Sequence, residues 1–131
     1  MARLILDSTV IIAAERSVKV LNQLISDDDD VAIAAVTAAE MLVGVELADD
    51  ARRASRTAFV RSVLNTIPVE EYDLDVARAH APLLAHTRRT GRPRGAHDLI
   101  IAATAIARER IVVSADVTAF HDLPGVAFRA S

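Results

Sequence analysis

The chain contains no cysteine and no tryptophan, and its 131 residues include only four glycines and four prolines. The absence of cysteine excludes disulfide bonds, thiolate metal ligands and cysteine nucleophiles. The low glycine and proline content, together with 52% hydrophobic residues, excludes a disordered or low-complexity chain. Because 131 residues is a typical length for one domain, we expect a single domain spanning residues 1–131.

Long hydrophobic runs are also missing. Apolar runs such as residues 99–103 and 111–113, and even the six residues 31–36, are far shorter than the ~18–20 residues that cross a bilayer. The first apolar run is interrupted at Asp7, which predicts no secretory signal sequence. We therefore expect a soluble protein that resides in the cytoplasm and does not bind membranes.

The charge of the chain is low overall but unevenly distributed. A net charge of −3 argues against a globally basic nucleic-acid-binding protein. Residues 76–97, however, contain five arginines and no acidic residue. The sequence therefore predicts one basic strip on an otherwise acidic protein.

Short apolar segments alternate with segments of helical periodicity. The strands are predicted at residues 3–6, 31–36, 66–69, 111–114 and 126–128. The helices are predicted at residues 10–16, 18–25, 37–47, 50–64, 75–89 and 97–108, with a helical turn at 117–121. Strands that are apolar throughout are typical of a parallel sheet covered on both faces. The sequence thus predicts an α/β fold, a three-layer sandwich with about four or five parallel strands.

Residues that cap helices precede several of these segments. Ser8 and Thr9 offer a hydroxyl cap before the first helix, and Asp75 offers a carboxylate cap further along. Thr37 is followed three residues later by Glu40, the spacing of a capping box. We expect these residues to set the helix starts.

Four acidic residues fall at positions that such a sheet brings together. Asp7 ends the first predicted strand, and Asp116 follows the fourth. Glu40 and Asp98 are predicted in the first turns of two helices. Because ligands bind outside the carboxyl ends of parallel strands, we expect all four carboxylates at one edge of the sheet.

Four neighbouring carboxylates indicate what kind of ligand the site can bind. They repel one another, so some are expected to stay protonated or to share a cation. Oxygen ligands without cysteine or clustered histidine suit Mg²⁺ or Mn²⁺ better than zinc. Such an ion lowers the pKa of a bound water and offsets charge on a phosphoryl oxygen. Taken singly, each carboxylate is better explained as a helix cap or a partner of the helix dipole, but their shared position favours a metal site.

The segments around these acids resemble the PIN-domain ribonucleases, and within them the VapC-type toxins of bacterial toxin–antitoxin pairs. The similar segments are LILDSTVII, TAAEMLVGV, GRPRGAHDLIIAATA and VVSADVTAFHDLPGV, which together reach from Arg3 to Val126. The resemblance implies that Asp7, Glu40, Asp98 and Asp116 form the family's acidic quartet, which holds one or two Mg²⁺ or Mn²⁺ ions.

The resemblance also implies supporting residues. Ser8 matches a small hydroxyl residue after the first acid, and Ser114 matches a hydroxyl that orients a carboxylate or a metal-bound water. Arg94 lies where the family often has basic residues. Arg94, Arg92 and Arg89 are candidates for binding RNA phosphates, because the guanidinium fork matches phosphate geometry. The alternative for these arginines is a solvated helix end whose charge complements the helix dipole.

One residue departs from the family pattern. His97 precedes Asp98, where Asn, Pro or Ala is common in the family. A histidine can act as a general base or contact a phosphate, since its pKa lies near neutrality. The alternative is a residue that merely neighbours a ligand.

The early helices carry more apolar surface than one small sheet needs. Ile11, Ile12, Met41, Leu42 and Val45 are compatible with an ordinary core, with a dimer face or with a groove for a partner helix. The resemblance implies both a homodimer and a cognate VapB-type antitoxin that blocks the acidic site.

The sequence therefore predicts a metal-dependent endoribonuclease that hydrolyses RNA as the toxin of a toxin–antitoxin pair. The alternative is a non-catalytic protein of the same fold that binds partners through its apolar helical face. An aspartyl-phosphate enzyme or receiver is disfavoured. Thr9 stands where such a phosphatase has a second Asp, and Lys19 is the only lysine where a receiver needs one late in the chain.

Overall fold

A computed structural model describes residues 1–17 and 26–131. The strands are β1 (Arg3–Leu6), β2 (Asp30–Ala34), β3 (Val69–Glu70), β4 (Ile111–Ser114) and β5 (Phe128–Ala130). The helices of the described ranges are α1 (Ser8–Arg16), α2 (Ala35–Glu46), α3 (Asp50–Thr66), α4 (Leu74–Thr90), α5 (Ala96–Arg108) and α6 (Val117–Phe120). The helix predicted at residues 18–25 lies outside the described residues.

The five strands form one parallel sheet in the order β3-β2-β1-β4-β5. β1 is central: Leu4 pairs with Val31 of β2 on one side and with Ile111 of β4 on the other. Along the chain, β2 and β3 are added on one side of β1, and β4 and β5 are then added on its other side. The connections leaving β1 and β4 therefore diverge at their carboxyl ends, which opens a crevice between them.

Helices cover both faces of the sheet, as the apolar strands predict. Leu4 and Leu6 pack in a buried cluster with side chains of α1, α2 and α3, whereas Ile5 packs in a second cluster with α4, α5 and α6. Alternate residues of a strand point to opposite faces, so an entirely apolar strand serves two cores. The predicted three-layer α/β architecture is confirmed.

The predicted boundary between the second strand and its helix is wrong. The strand spans Asp30–Ala34, and the helix already begins at Ala35. Ala34 occupies the N-cap position without a side-chain hydrogen bond, so Thr37 lies inside the helix and does not cap it. Residues 35 and 36 are apolar, which hid the end of the strand in the sequence.

Two edge strands are displaced from their predicted positions. α3 continues to Thr66, and Ile67 adopts an extended conformation, as expected for a residue before proline. The strand therefore begins at Val69 rather than at residue 66. At the other edge, the amide of Val126 donates to the carbonyl of Leu123 to close a turn, and the strand begins only at residue 128.

Two helix caps also differ from the prediction. α1 is capped by the Asp7 carboxylate, not by Ser8 or Thr9. α4 is capped by Asp73, whose carboxylate accepts from the Val76 amide at 3.1 Å, and Asp75 lies in the first turn instead. In both helices the acidic residue that comes first along the chain takes the cap position, Asp7 in α1 and Asp73 in α4.

A buried ion-pair network holds the amino ends of the central strands. Arg110, which precedes β4, is 7% exposed and donates to the carboxylates of Asp30 and Glu70 and to the Leu4 carbonyl. Arg108 extends the network to Glu70 at 3.1 Å. This network lies away from the carboxyl ends that carry the acidic residues.

Within the two described ranges, no helix is both long enough and apolar enough to cross a membrane.

Candidate active site

Asp7 and Asp116 lie on either side of the crevice at the carboxyl ends of β1 and β4. Asp7 is the N-cap of α1 and is 2% exposed. Asp116 is the N-cap of α6 and is exposed, and its Oδ1 accepts from the amide and the hydroxyl of Thr118. Both carboxylates are therefore fixed by the first residues of the helices that follow.

The Asp7 carboxylate is held by donors from two directions. Its Oδ1 accepts from the Thr9 amide at 3.1 Å, the Thr9 hydroxyl at 2.5 Å and the Val10 amide at 3.4 Å. Its Oδ2 accepts from the buried Ser114 hydroxyl at 2.5 Å. Such a carboxylate has one allowed orientation.

Asp98 lies in the first turn of α5, as predicted, and is half-buried. Burial raises the pKa of its carboxyl above the ordinary value, and the negative charges of Asp7, Asp116 and Glu40 raise it further. His97 acts in the opposite direction. Asp7, Asp116 and Glu40 therefore lie near enough to Asp98 for their charges to act on its carboxyl.

Gly95 leaves room for the Asp98 carboxylate. A Cβ at residue 95 would lie 2.8 Å from the Oδ2 atom of Asp98, closer than any unstrained contact. Gly95 has a negative φ of −59°, so its backbone does not itself require glycine. The absence of a side chain here matters for the position of the carboxylate.

Glu40 reaches the site from the second turn of α2, not from the first turn predicted for it. Its Oε1 is buried and accepts no hydrogen bond of proper geometry from the described residues, although His97 Nδ1 lies 3.2 Å away. Thr37 lies three residues earlier on the same face of α2. Among the described residues, its Oγ1 is the one other buried side-chain oxygen that has no hydrogen-bond partner. The site thus contains, at Glu40, a buried oxygen atom that accepts no hydrogen bond of proper geometry.

Asp7, Asp116 and Glu40 are each near enough to Asp98 for their charges to raise its pKa, but the four carboxylates do not converge on one point. Among the described residues, no three Asp, Glu or His side chains lie close enough together to hold an ion as they stand. Their chemistry nevertheless fits a hard cation: the donors are oxygen atoms, Glu40 Oε1 is unpaired, and Asp98 experiences repulsion that a cation would relieve. Coordination would require side-chain rotation, for which Glu40 Oε1, which accepts no hydrogen bond of proper geometry from the described residues, is available, whereas Asp7 is already fixed.

The hydroxyl that contacts Asp7 from its own helix belongs to Thr9 rather than to Ser8. Ser8 is half-buried and lines a groove with Glu40. Ser114 is buried and contacts Asp7 directly. The sequence does mark Thr9 in one respect: it carries a hydroxyl two residues after an acid at a helix start. Side chains at that spacing form local hydrogen bonds.

The three arginines predicted to bind RNA occupy different environments. Arg94 is half-buried, and its guanidinium donates to the carbonyls of Thr118 and His121 at the end of α6. Arg92 is exposed and lines a depression of about 400 Å³ together with Arg94 and the acidic residues Asp98 and Asp116. Arg89 is exposed in the last turn of α4.

A longer groove of about 740 Å³ leads from Ser8 and Glu40 across α1, α2 and α3. Its floor includes apolar side chains such as Ile11 and Phe59, and Arg56 and Glu15 pair with each other at 3.2 Å along it. Ile12 lines the groove and is 51% exposed. The acidic region and this apolar groove are therefore continuous.

The chain belongs to the PIN-domain family, because the family's model matches residues 4–125. It is 39% identical over 115 residues to Ribonuclease VapC5 of Mycobacterium tuberculosis, covering 86% of this chain and 82% of that protein. It is 27% identical over 122 residues to Ribonuclease VapC of Rickettsia bellii, covering 92% and 90% of the two chains. These similarities confirm the resemblance on which the sequence prediction rests.

Solved structures agree with the sequence comparison. VapBC-5 of Mycobacterium tuberculosis, described as a member of the VapBC family of toxin-antitoxin systems, matches with a TM-score of 0.82 and 33% identity over the full length of both chains. VapBC2 of Rickettsia felis, crystallised with a DNA fragment from its promoter, matches with a TM-score of 0.89 over 98% of both chains. At 18% identity, the second match supports the fold alone.

Proposed function

We propose that this protein is a metal-dependent endoribonuclease that acts as the toxin of a toxin–antitoxin pair. The observation that carries the proposal is the meeting of four family-matching acids at one sheet edge, where three of them raise the pKa of the fourth. The relatives named Ribonuclease VapC support the activity. An RNA-cleaving protein of this kind acts in the cytoplasm.

Asp7, Asp98 and Asp116 would hold Mg²⁺ or Mn²⁺, and Glu40 would complete the set or orient the attacking water. The ion, when bound, supplies a lowered pKa for water and a positive charge against the phosphate. Asp7 contributes a carboxylate fixed by four donors. Glu40 contributes a buried oxygen that accepts no hydrogen bond of proper geometry from the described residues.

The substrate is held through its phosphates. With aromatic residues at 3% of the chain, a platform for stacked bases is disfavoured, and phosphate contacts and RNA shape carry recognition. Arg92 borders the depression beside Asp98 and Asp116 and offsets the repulsion between an acidic site and a polyanion. Arg94 orders the same loop through α6, and Arg89 extends the positive charge along the approach.

The groove beside Glu40 is the proposed seat of a VapB-type antitoxin. Its apolar floor suits one face of a partner helix. Because Ser8 and Glu40 form its end, a segment lying in it would also obstruct the acidic site. The likeness to VapBC-5 of Mycobacterium tuberculosis, at 33% identity over the full length of both chains, supports such a partner.

A homodimer is proposed from the apolar surface of α2. Leu42 and Val43 are 49% and 52% exposed, and Leu47, which follows the helix, is 81% exposed. Exposed apolar side chains in one region mark interaction surfaces. Sedimentation equilibrium of the isolated chain should give twice the mass of one chain, and Leu42→Glu should return it to one.

Sequencing of RNA 5′ ends tests the proposed function in cells. Expression of the wild-type chain should create new 5′-monophosphate ends at a few discrete sites, and expression of Asp98→Asn at equal level should create none. Equal numbers of new ends with both proteins would place the activity elsewhere. No new ends from folded, inhibitor-free wild type would favour the non-catalytic alternative.

Calorimetry with Mn²⁺ separates this proposal from a non-catalytic interaction protein, which the apolar groove also suits. The endoribonuclease should bind Mn²⁺ with an affinity that depends on Asp98. An interaction protein with a dead site should release no heat of Mn²⁺ binding.

Replacement of Gly95 by alanine should weaken Mn²⁺ binding without unfolding the protein. The new Cβ would approach Asp98 Oδ2 to 2.8 Å, so the carboxylate must turn away. The backbone conformation accepts alanine, and loss of glycine at an N-cap costs about 1 kcal/mol or less. Calorimetry should show at least a tenfold weaker Mn²⁺ affinity at about 1.4 kcal/mol per tenfold, with an unchanged circular dichroism spectrum. Wild-type affinity in Gly95→Ala would show that the Asp98 position is not critical.

A further inference from the structure

The Thr9 hydroxyl bridges the two strand ends that carry Asp7 and Asp116. It donates to Asp7 Oδ1 at 2.5 Å and accepts from the backbone amide of Ala115 at 2.9 Å. Ala115 directly precedes Asp116 in the turn between β4 and α6. One side chain on α1 therefore contacts the first acid and the segment that presents the last one.

Ser114 makes the same pair of contacts from the opposite strand. Its hydroxyl donates to Asp7 Oδ2 at 2.5 Å and accepts from the Asp116 amide at 3.0 Å. The Thr9 and Ser114 oxygens lie 3.4 Å apart. Two hydroxyls thus hold the two oxygens of one carboxylate.

The direction of both hydroxyl hydrogen bonds is fixed by the backbone. An amide can only donate, so each hydroxyl oxygen accepts from its amide and has one hydrogen to give. Each hydroxyl donates this hydrogen to a different oxygen of the Asp7 carboxylate. Thr9 is also β-branched, which restricts its side-chain torsion and keeps the hydroxyl in place.

We propose that Thr9 is a positioning residue of the active site: its hydroxyl orients Asp7 and ties the turn that carries Asp116 to it. This inference rests on the proposed metal-dependent function and adds to it a residue that the family-matching motifs did not single out. In this role Thr9 is not itself a metal ligand or a substrate contact. It acts through Asp7 and through the Ala115 amide.

Thr9→Val and Thr9→Ser test the inference together. Valine preserves the shape and removes the hydroxyl, whereas serine restores a hydroxyl. Removal of residues that orient metal ligands costs about 10–100-fold in metal affinity. Calorimetry with Mn²⁺ alone should show a loss of that size for Thr9→Val and recovery to within about threefold for Thr9→Ser.

Thr87→Val provides the matched control. Its hydroxyl donates to the Leu84 carbonyl within α4 at 2.9 Å and is likewise only partly buried. The same chemical change there should leave Mn²⁺ affinity unchanged, whatever it does to the melting temperature. A merely structural role for Thr9 would lower the melting temperature of Thr9→Val without changing its Mn²⁺ affinity, and that outcome overturns the inference.

Amide hydrogen exchange on the metal-free protein tests the positioning role of Thr9 independently of the proposed metal-dependent function. Loss of the Thr9 hydroxyl should speed exchange at Ala115, its partner, and at Asp116, the next amide in the turn. Unchanged exchange at both amides overturns the tie between the strands. If the wild-type protein binds no Mn²⁺, the proposed function and the positioning role fail, while the exchange data still decide whether Thr9 joins the two segments.

Discussion

Replacing Asp98 by asparagine should abolish RNA cleavage and at the same time make the metal-free protein more resistant to heat at neutral pH. The loss of activity follows from the loss of a proposed metal ligand. A metal ion contributes several kcal/mol to phosphoryl-transfer catalysis, so the rate should fall by about 10³-fold or more. The gain in stability follows from the repulsion that Asp7, Asp116 and Glu40 exert on Asp98.

The pH dependence of the stability gain has a definite sign. Burial and repulsion raise the pKa of Asp98 above 3.8, so the folded protein binds this proton more tightly than the unfolded chain does. The stability that the Asp98 proton contributes is therefore fully present below pH 3.8 and is lost as the pH rises through the pKa of Asp98 in the folded state. Asparagine carries no charge at any pH. The melting-temperature advantage of Asp98→Asn should be largest near neutral pH and should disappear as the pH falls toward 3.8.

In Mn²⁺ the melting temperature of wild type should exceed that of Asp98→Asn, the reverse of their order in chelator. A ligand at 100 times its Kd stabilises the state that binds it by about 2.7 kcal/mol. Wild type should gain this stability and Asp98→Asn should not. Thermal melts in chelator and in Mn²⁺ measure both effects in the same samples.

Asp75→Asn is the control for removal of a charge from a first helical turn. Asp75 is exposed, and its carboxylate lies 3.8 Å from Arg78. Its loss should lower stability by about 0.3–1 kcal/mol, because a negative charge favours a helix N-terminus. Asp98→Asn melting below wild type in chelator at pH 7, or cleaving RNA at the wild-type rate, would contradict the account of the acidic edge.

Replacing Arg110 by methionine should destabilise the fold and spare the chemistry. The guanidinium is almost fully buried and pairs with Asp30 at 3.0 Å and with Glu70 at 2.9 Å. Removing one partner from a buried pair costs about 3–5 kcal/mol, and the partial exposure of both acids reduces this to roughly 2–3 kcal/mol. The melting temperature should fall by about 6–12 °C.

RNA cleavage per folded molecule should be unchanged in Arg110→Met, since the network holds the amino ends of the strands. Arg78→Met serves as the control: its pair with Asp75 is 71% exposed on each side and should contribute within about 0.5 kcal/mol. A drop in melting temperature equal to that of the control would mean that the buried network does not stabilise the fold.

The architecture could be predicted because the strands carry a direct signal. Arg3–Leu6 and Ile111–Ser114 are found as predicted, since apolar residues on both faces of a strand indicate a buried parallel sheet. The end of β2 could not be predicted in the same way. Apolar residues continue from Ala34 into the following helix, and the start of that helix has no capping side chain.

The candidate site, like the fold, could be predicted only in part from the sequence. Strand order explains why Asp7 and Asp116 face one crevice, and this follows from their positions at strand ends. The hydrogen-bond directions at Thr9 and the close approach of Gly95 to Asp98 do not follow from spacing. Both depend on side-chain rotamers, and the Thr9 contacts also join segments about a hundred residues apart, which periodicity does not encode.

The most direct test of the central claim is the end chemistry of a defined RNA cut by the purified, antitoxin-free chain. Aliquots with chelator, Mg²⁺ and Mn²⁺ are compared, and the fragment ends are identified by their response to a 5′-phosphate-dependent exonuclease. Discrete fragments with 5′-phosphate and 3′-hydroxyl ends, formed only when Mg²⁺ or Mn²⁺ is present, are the predicted result. Cleavage that persists in chelator and leaves 5′-hydroxyl ends would contradict a carboxylate-held metal as the source of the activity.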